Sequence, residues 1–456
     1  MQTLEIKNFG PIKDVKIEIN DIMIFIGPQA SGKSTIAKNI FYFNSMKDFV
    51  YETVEQILEL SNHIESIDPT RIWKIFHGYL RTRFVGFWGT TKHLEDFVLN
   101  FSYKEDISLC ITLRDGRVQH TFSDTLKKRI DKIFGMTANY ISSHRNSKIG
   151  KTPLFGDFSL LSELASFKIE IQVVLSDAFN SKRRSFFIPA NRSILTTLPE
   201  YKINQILSDA EEKPSVGDPL YDPYMIDLPT KQFIRLISFF KYQFTKDLDV
   251  MISERENILA EGGYQDRLAP LLELIPKVLK GVYKYEAGVE KLYLPETEKF
   301  VKINFASSGQ QESLWIVLHL FQLVLNRVSS LVVIEEPETH LYTDAQVDIV
   351  NLLAHFHKLD DNQLVITTHS PYVLSAFNNL IFANEVGRKK EEKISSIIHK
   401  QYWLDSTKVS AMFVDNGKVE NILDPDLNQI AAERIDSASR LINEQYDQMM
   451  EHLYGE

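Results

Sequence analysis

"IMIFIGPQASGKST", residues 22–35, decides the fold. Ile22 to Ile26 is an unbroken apolar run, the pattern of a strand covered on both faces. Gly27 to Ser34 then satisfies G-x-x-x-x-G-K-[ST], and the helix-compatible run "IAKNIFYF" follows Ser34 and Thr35. Strand, glycine loop and helix in that order are the context a phosphate-binding loop requires. Gly27 and Gly32 let the loop through Pro28, Gln29, Ala30 and Ser31 wrap phosphate oxygens with backbone N–H groups. Lys33 reaches the β- and γ-phosphates, Ser34 holds Mg²⁺, and Thr35 completes the loop. The expected ligands are therefore ATP and Mg²⁺.

A second stretch, "SSLVVIEEPETHLY" at 329–342, raises a question that the first one answers. Leu331 to Ile334 also reads as a buried strand, yet it runs into Glu335 and Glu336, and unpaired buried charge is costly. A phosphate loop needs a neighbouring apolar strand ending in acid, the Walker B strand. Glu335 then binds Mg²⁺, directly or through water. Glu336 orients and deprotonates the attacking water. Aspartate is commoner at the first of these positions, and Glu335 is one methylene longer.

Two more stretches fall at strand or helix ends where anions bind. In "INFASSGQQESLWIVLHLF", from Ile303, the residues Ser307, Ser308 and Gly309 form a small turn before a helix that is apolar nearly all round and hence buried. In "QLVITTHSPYVL", 363–374, Leu364 to Thr368 reads as another buried strand with His369 at its carboxyl end. Ligands of α/β sheets bind at that end, which makes His369 a γ-phosphate sensor.

In this order, the phosphate loop, the Ser-Ser-Gly turn, "VVIEEPE" and "TTHSP" resemble the ABC-type ATPase head of the SMC, RecF and OLD-like class. The resemblance covers residues 1–45 and 300–385 best. It implies that "ASSGQ" is the ABC signature acting in trans, with Ser307 of one subunit contacting the γ-phosphate held by Lys33 of another. It places "ETHLY", 338–342, in the D-loop at the same interface. "EEPETHL" and "FFIPANRS", 186–193, look especially like the OLD-like ATPases. For the second stretch, a core strand ending in a proline turn and a direct ligand role for Arg192 both stay open. No Q-loop glutamine is assigned; Gln56 and Gln119 qualify by position only.

Composition agrees with a soluble α/β ATPase. With 456 residues, 44% of them hydrophobic, the chain can bury a large core. Its 51 Lys+Arg against 61 Asp+Glu give a net charge of -10, which does not support a general nucleic-acid binder and leaves only a local basic patch open. The lone cysteine, Cys110, excludes an intrachain disulfide framework and a cysteine-pair zinc site. "MQTLEIKNFG" has no signal-peptide pattern, and the most apolar run, Leu314 to Leu325, is too short to span a bilayer, so a cytoplasmic protein without membrane contact is expected.

The expected organisation is an ABC-type head with an antiparallel β subdomain and inserted helices. Residues 1–123 form the first part of the head: two alternating strands in "LEIKNFGPIKDVKIEI", then strands at 97–103, 108–113 and 117–122, the last two turned at "RDG". Residues 124–290 form helical insertions around one core strand, 185–189, with no heptad run long enough for an SMC arm. Residues 291–385 complete the head. Residues 386–456 form a small element: a basic run "GRKKEEK" after a short strand at 379–383, a hairpin at "DNG" (415–417), and a helix with an apolar stripe from Leu427 through Ile430 and Ile435 to Met449. The loop 208–224 reads as polar and mobile.

The stretch after His369 is shorter than the TOPRIM domain of OLD nucleases, which needs about 100 to 200 residues of its own. Asp424 and Asp426 read as solvated turn acids. The resemblance therefore points to the stand-alone ATPases of bacterial anti-phage systems such as Septu and PARIS. The expected partners are further copies of the chain through composite ATP sites, a separately encoded effector nuclease or toxin, and a phage protein as trigger. The alternative is a RecF- or SMC-like DNA-repair ATPase that binds DNA directly, with salt-sensitive affinity. A transporter or scaffold ATPase would need a coupling segment that is not recognisable.

Overall fold

Every residue of Ile22–Ile26, Ser330–Glu335 and Gln363–Thr368 is buried, and these three runs form the parallel centre of one sheet. In the computed structural model, which describes residues 1–60, 67–91, 94–148, 158–198, 200–209, 226–259, 263–424, 426–431 and 437–454, the strands are β1 (Gln2–Phe9), β2 (Ile12–Ile19), β3 (Ile22–Ile26), β4 (Val98–Lys104), β5 (Ile107–Arg114), β6 (Arg117–Phe122) and β7 (Arg184–Ile188). There follow β8 (Val282–Glu286), β9 (Val289–Tyr293), β10 (Phe300–Lys302), β11 (Ser330–Glu335), β12 (Gln363–Thr368), β13 (Val409–Asp415) and β14 (Lys418–Asn421). The fold is mixed α/β, with one all-antiparallel sheet and a central sheet whose parallel strands carry the antiparallel β14 at one edge.

The chain divides into two compact units. One comprises Met1–Ile19, Thr35–Phe186 and the described part of Glu212–Lys231. Its five-stranded sheet runs β2-β1-β4-β5-β6, antiparallel throughout. Alternating burial along β4 and β5 gives each strand one core face. The "RDG" turn works because Asp115 and Gly116 both take positive φ, 50° and 68°, as a two-residue hairpin turn of this type demands. The core is aromatic: Phe9 packs edge-on against Trp88 and Phe97, and Phe84 stacks on Phe97. Inside it Tyr42 Oη and His120 Nε2 lie 2.9 Å apart. Burial holds that imidazole neutral, its pKa pushed down to about 3.

The other unit comprises Asn20–Ser34, Phe187–Glu211 and Gln232–Glu456. Its six-stranded sheet has the order β14-β13-β3-β12-β11-β7. Parallel register aligns Glu335 with Thr367, Thr367 with Phe25, and Phe25 with Met412. The hairpin expected at "DNG" is present, with Asn416 and Gly417 at φ 50° and 77°. Its first strand, β13, lies inside this central sheet beside β3. Helix Ser308–Leu325 is buried along nearly its whole length, as its all-round apolarity requires. A small sheet, β10-β9-β8, accompanies it; β8 falls within 124–290, where helices around one core strand are expected.

Two local expectations are corrected. Residues 379–383 are no strand; they belong to helix Pro371–Ser395, capped by Ser370, whose Oγ accepts from Tyr372 and Val373 N–H, with Pro371 at the first helical position. A short apolar run does not distinguish strand from helix, and the cap decides. The last helix is Ser437–Tyr454, so Leu427, exposed in a turn, and Ile430, buried in a short strand, do not join its stripe; Ile435 lies outside the described residues. The same holds for most of the loop at 208–224.

Candidate functional site

Parallel register brings the ends of β3, β12 and β11 to one edge. From that edge leave the loop at Gly27, the turn at His369 and the segment at Glu336. The loop closes tightly. A Cβ on Gly27 would lie 2.0 Å from Val414 O, so only glycine lets the loop pass the end of β13. Ala30 and Gly32 take φ of 60° and 110°, turning the chain into helix Lys33–Asn44, whose first N–H groups face outward from its start. The Lys33 ammonium donates to Gly27 O at 2.8 Å and Pro28 O at 2.7 Å. Burial pushes its pKa below the ordinary value, while Glu336 and Glu338 push it back up.

On the other side of the edge, Glu335 is the last residue of β11 and 8% exposed. Its Oε2 accepts from Ala190 N–H at 3.3 Å. Glu336 takes φ 44°, a left-handed conformation that costs a non-glycine residue about 1 to 2 kcal/mol. Its N–H donates to Thr367 O at 2.9 Å, and its Oε1 lies 3.0 Å from His369 Nε2. The two expected catalytic residues are thus in contact, both about one-third exposed. Ser34 and Thr35 follow Lys33 in the first turn of its helix, Ser34 exposed.

Ser307, Ser308 and Gly309 sit at the start of helix Ser308–Leu325. Ser307 Oγ accepts from Gln310 N–H at 3.4 Å and Gln310 Oε1 accepts from Ser307 N–H at 3.1 Å, a reciprocal capping box. Ser307 and Ser308 are exposed, and Gly309 is buried against the segment at 338–342: a Cβ there would meet His340 O at 2.5 Å. Among the described residues, no hydrogen bond joins this turn to the phosphate loop.

Sequence reading missed Glu338 and Glu312. Glu338 was placed with "ETHLY" by resemblance, but its carboxylate turns inward: Oε1 accepts from Thr368 Oγ at 2.7 Å and from His369 N–H at 2.9 Å. A third acid two residues beyond a Walker B pair was the signal available. Of the two options left open for "FFIPANRS", the strand-and-turn geometry is present, with β7 ending at Ile188. Arg192 is fully buried, and its guanidinium bonds go to Pro189 O, Glu312 O, Glu335 O and Glu336 O.

Ser31 Oγ, Glu335 Oε1, Glu338 Oε2 and Thr367 Oγ are buried and have no hydrogen-bond partner among the described residues. Each such atom costs about 1 to 3 kcal/mol unless a ligand completes it. Oxygen donors of this kind suit Mg²⁺, so the residues here fit a magnesium nucleotide.

Parallel strands that bring a phosphate loop after β3, a histidine after β12 and an acid end on β11 to one carboxyl edge define a P-loop nucleotide-binding ATPase; the acid-ended strand is not directly beside the loop's strand as expected, because β12 lies between them. Residues 1–374 match the family described as AAA ATPase domain, and the chain belongs to that family. No curated protein matches it. Among solved structures it is similar to the SMC head domain from Thermotoga maritima, 11% identical, covering 92% of this chain and 97% of that one with TM-score 0.34. It is also similar to the Smc head domain with an extended coiled coil bound to the C-terminal domain of ScpA from Pyrococcus furiosus, 11% identical, covering 98% and 100% with TM-score 0.38. No helix among the described residues is long and apolar enough to cross a membrane.

Proposed function

We propose that the chain binds ATP with Mg²⁺ and hydrolyses it between two copies of itself, using the engagement of copies as a switch. The observation that carries this reading is the register of β3, β12 and β11, which sets Lys33, Glu335, Glu336 and His369 along one edge. On this reading Lys33 and the loop from Gly27 hold the phosphates. Ser34 and Glu335 would hold Mg²⁺, which when bound neutralises charge on the phosphoryl oxygens. Glu336 accepts a proton from the attacking water, and His369, in contact with Glu336 Oε1, reads the γ-phosphate. Ser307 of one copy completes the site of the other. The test is direct: ATP affinity and turnover of the wild type beside Lys33→Ala and Glu336→Gln. Turnover in Glu336→Gln equal to wild type removes Glu336 as the base.

Beyond ATP hydrolysis, we read the chain as the sensor subunit of a bacterial anti-phage system that controls a separately encoded nuclease or toxin. The support is the likeness of "EEPETHL" and "FFIPANRS" to the OLD-like ATPases. ATP would favour one arrangement of copies and so bias the hold on the effector, a population shift driven by differential affinity. Phage protection that needs both Glu336 and a neighbouring gene is the expected result. Metal-dependent nucleic-acid cleavage by the purified chain, lost on changing Asp424 or Asp426, would overturn it.

A further inference from the structure

Arg192 is shut away from the surface: its side chain is 0% exposed and that of Glu312 is 3% exposed. Its bonds form a reciprocal lock. Glu312 Oε2 accepts from Arg192 N–H at 3.0 Å and Glu312 Oε1 from Ser193 N–H at 3.1 Å. In return Arg192 Nε donates to Glu312 O at 2.9 Å, in the second turn of the helix that Ser307 caps. The other two nitrogens leave that helix. Nη1 donates to Pro189 O and to Glu335 O, both at 2.7 Å, and Nη2 to Glu336 O at 3.0 Å.

A buried ion pair of this kind is weak evidence for stability, because well-packed apolar side chains serve as well or better. What apolar side chains do not supply is the planar fork, which fixes three segments by direction as well as distance. The peptide held by Nη2 is the one at φ 44°, which also accepts from Thr339 Oγ at 2.8 Å. Strain at such a peptide persists only where the surroundings over-determine it. The helix has a second anchor to the same segment, Gly309 against His340 O. The start of the helix is therefore tied to the Glu335–His340 segment at two points.

We propose that Arg192 and Glu312 are a positioning pair: they tie the helix capped by Ser307 to the strained Glu336 peptide, so that engagement of that turn by a second copy sets the Glu336 carboxylate of the same chain. This rests on the ATPase reading above.

The test compares wild type, Lys33→Ala, Arg192→Lys and Glu312→Gln at a temperature where each is folded. Arg192→Lys keeps the charge and removes the fork. The expected result is an ATP Kd within about threefold of wild type, with kcat lower by about 30-fold, the pattern of a group that matters only in the transition state. The rise of specific activity with protein concentration should also be lost. A merely structural role would instead lower the unfolding midpoint and leave both readouts of the folded enzyme in place. Should Arg192→Lys fail to fold, Glu312→Gln carries the test: its amide oxygen still accepts one of the two main-chain hydrogen bonds, while the charge and the second acceptor are gone. A kcat within about twofold of wild type and an unchanged concentration dependence would overturn the coupling. If Lys33→Ala loses ATP binding while these variants stay fully active, the coupling alone fails. If Lys33→Ala binds ATP like wild type, the site reading fails and the coupling with it.

Discussion

The sheet edge and the Ser307 turn are both anion sites by chemistry, but they are finished to different degrees. At the edge, buried oxygens of Ser31, Glu335, Glu338 and Thr367 lack partners among the described residues. At the turn, Ser307 and Gln310 satisfy each other in a reciprocal capping box, with Ser307 exposed and Gln310 half-buried, its amide donating to Leu279 O. An edge with unspent buried donors and acceptors is built to be completed by a ligand held within the same chain. A self-satisfied cap on the surface gains a catalytic use only when another body is brought to it. In the proposed function this difference goes with binding at the edge and engagement at the turn.

The largest effects should come from the edge. Lys33→Ala is expected to weaken ATP binding by more than about 100-fold, since a buried cation and its phosphate contacts vanish together. Glu336→Gln should bind ATP within about threefold of wild type and lose about 100-fold or more in turnover, the scale of a general base. Equilibrium binding and steady-state phosphate release measure the two separately. A Glu336→Gln variant that cannot bind would merge the roles that the comparison keeps apart.

The next effect concerns a residue that motif reading did not find. Glu338→Ala removes the acceptor of Thr368 Oγ and His369 N–H. The turn carrying His369 then loses its hold, and turnover should fall by about tenfold with KM little changed, as expected when a reacting group is misplaced rather than deleted. A larger change in KM than in kcat would move Glu338 from positioning His369 to binding nucleotide.

That sequence reading singled out Lys33, Glu335, Glu336 and His369, which lie at this edge, but not Glu338 follows from the range of the signals. Apolar runs ending in glycine, acid or histidine are local, and two buried strands of β-branched residues leave little choice about which edge their ends share. Likewise the β1–β2 and β5–β6 hairpins were visible in alternation and turn residues. The lock between Arg192 and Glu312 joins residues 120 positions apart, and β13 meets β3 from the far end of the chain. No periodicity encodes such pairings. They appear only once the topology has placed the partners: for "FFIPANRS" the local pattern suggested the strand and turn that are present, but not the buried hydrogen bonds of Arg192.

A third experiment sharpens the division of labour itself. Lys33→Ala protein lacks a competent edge and Ser307→Arg protein lacks a competent turn. If each site is shared, mixing the two under demonstrated subunit exchange should restore part of the activity, because one mixed interface pairs an intact edge with an intact turn. Absence of rescue would return both functions to a single chain.

The smallest effect separates the cap from its catalytic use. Ser307→Ala loses the side-chain acceptor for Gln310 N–H, and such a loss costs about 1 kcal/mol of stability. Ser307→Asp keeps an acceptor at the N-cap, where aspartate is as good as serine, and adds negative charge at a helix start that favours it. In urea unfolding, Ser307→Asp should therefore match wild type while Ser307→Ala unfolds slightly earlier. Turnover should order them differently. An aspartate facing the γ-phosphate of a neighbouring copy repels it, so Ser307→Asp should be the less active enzyme even though it is the more stable protein. If the two variants rank the same way in stability and in turnover, the turn is a helix cap and nothing more, and the contrast between edge and turn loses its functional meaning.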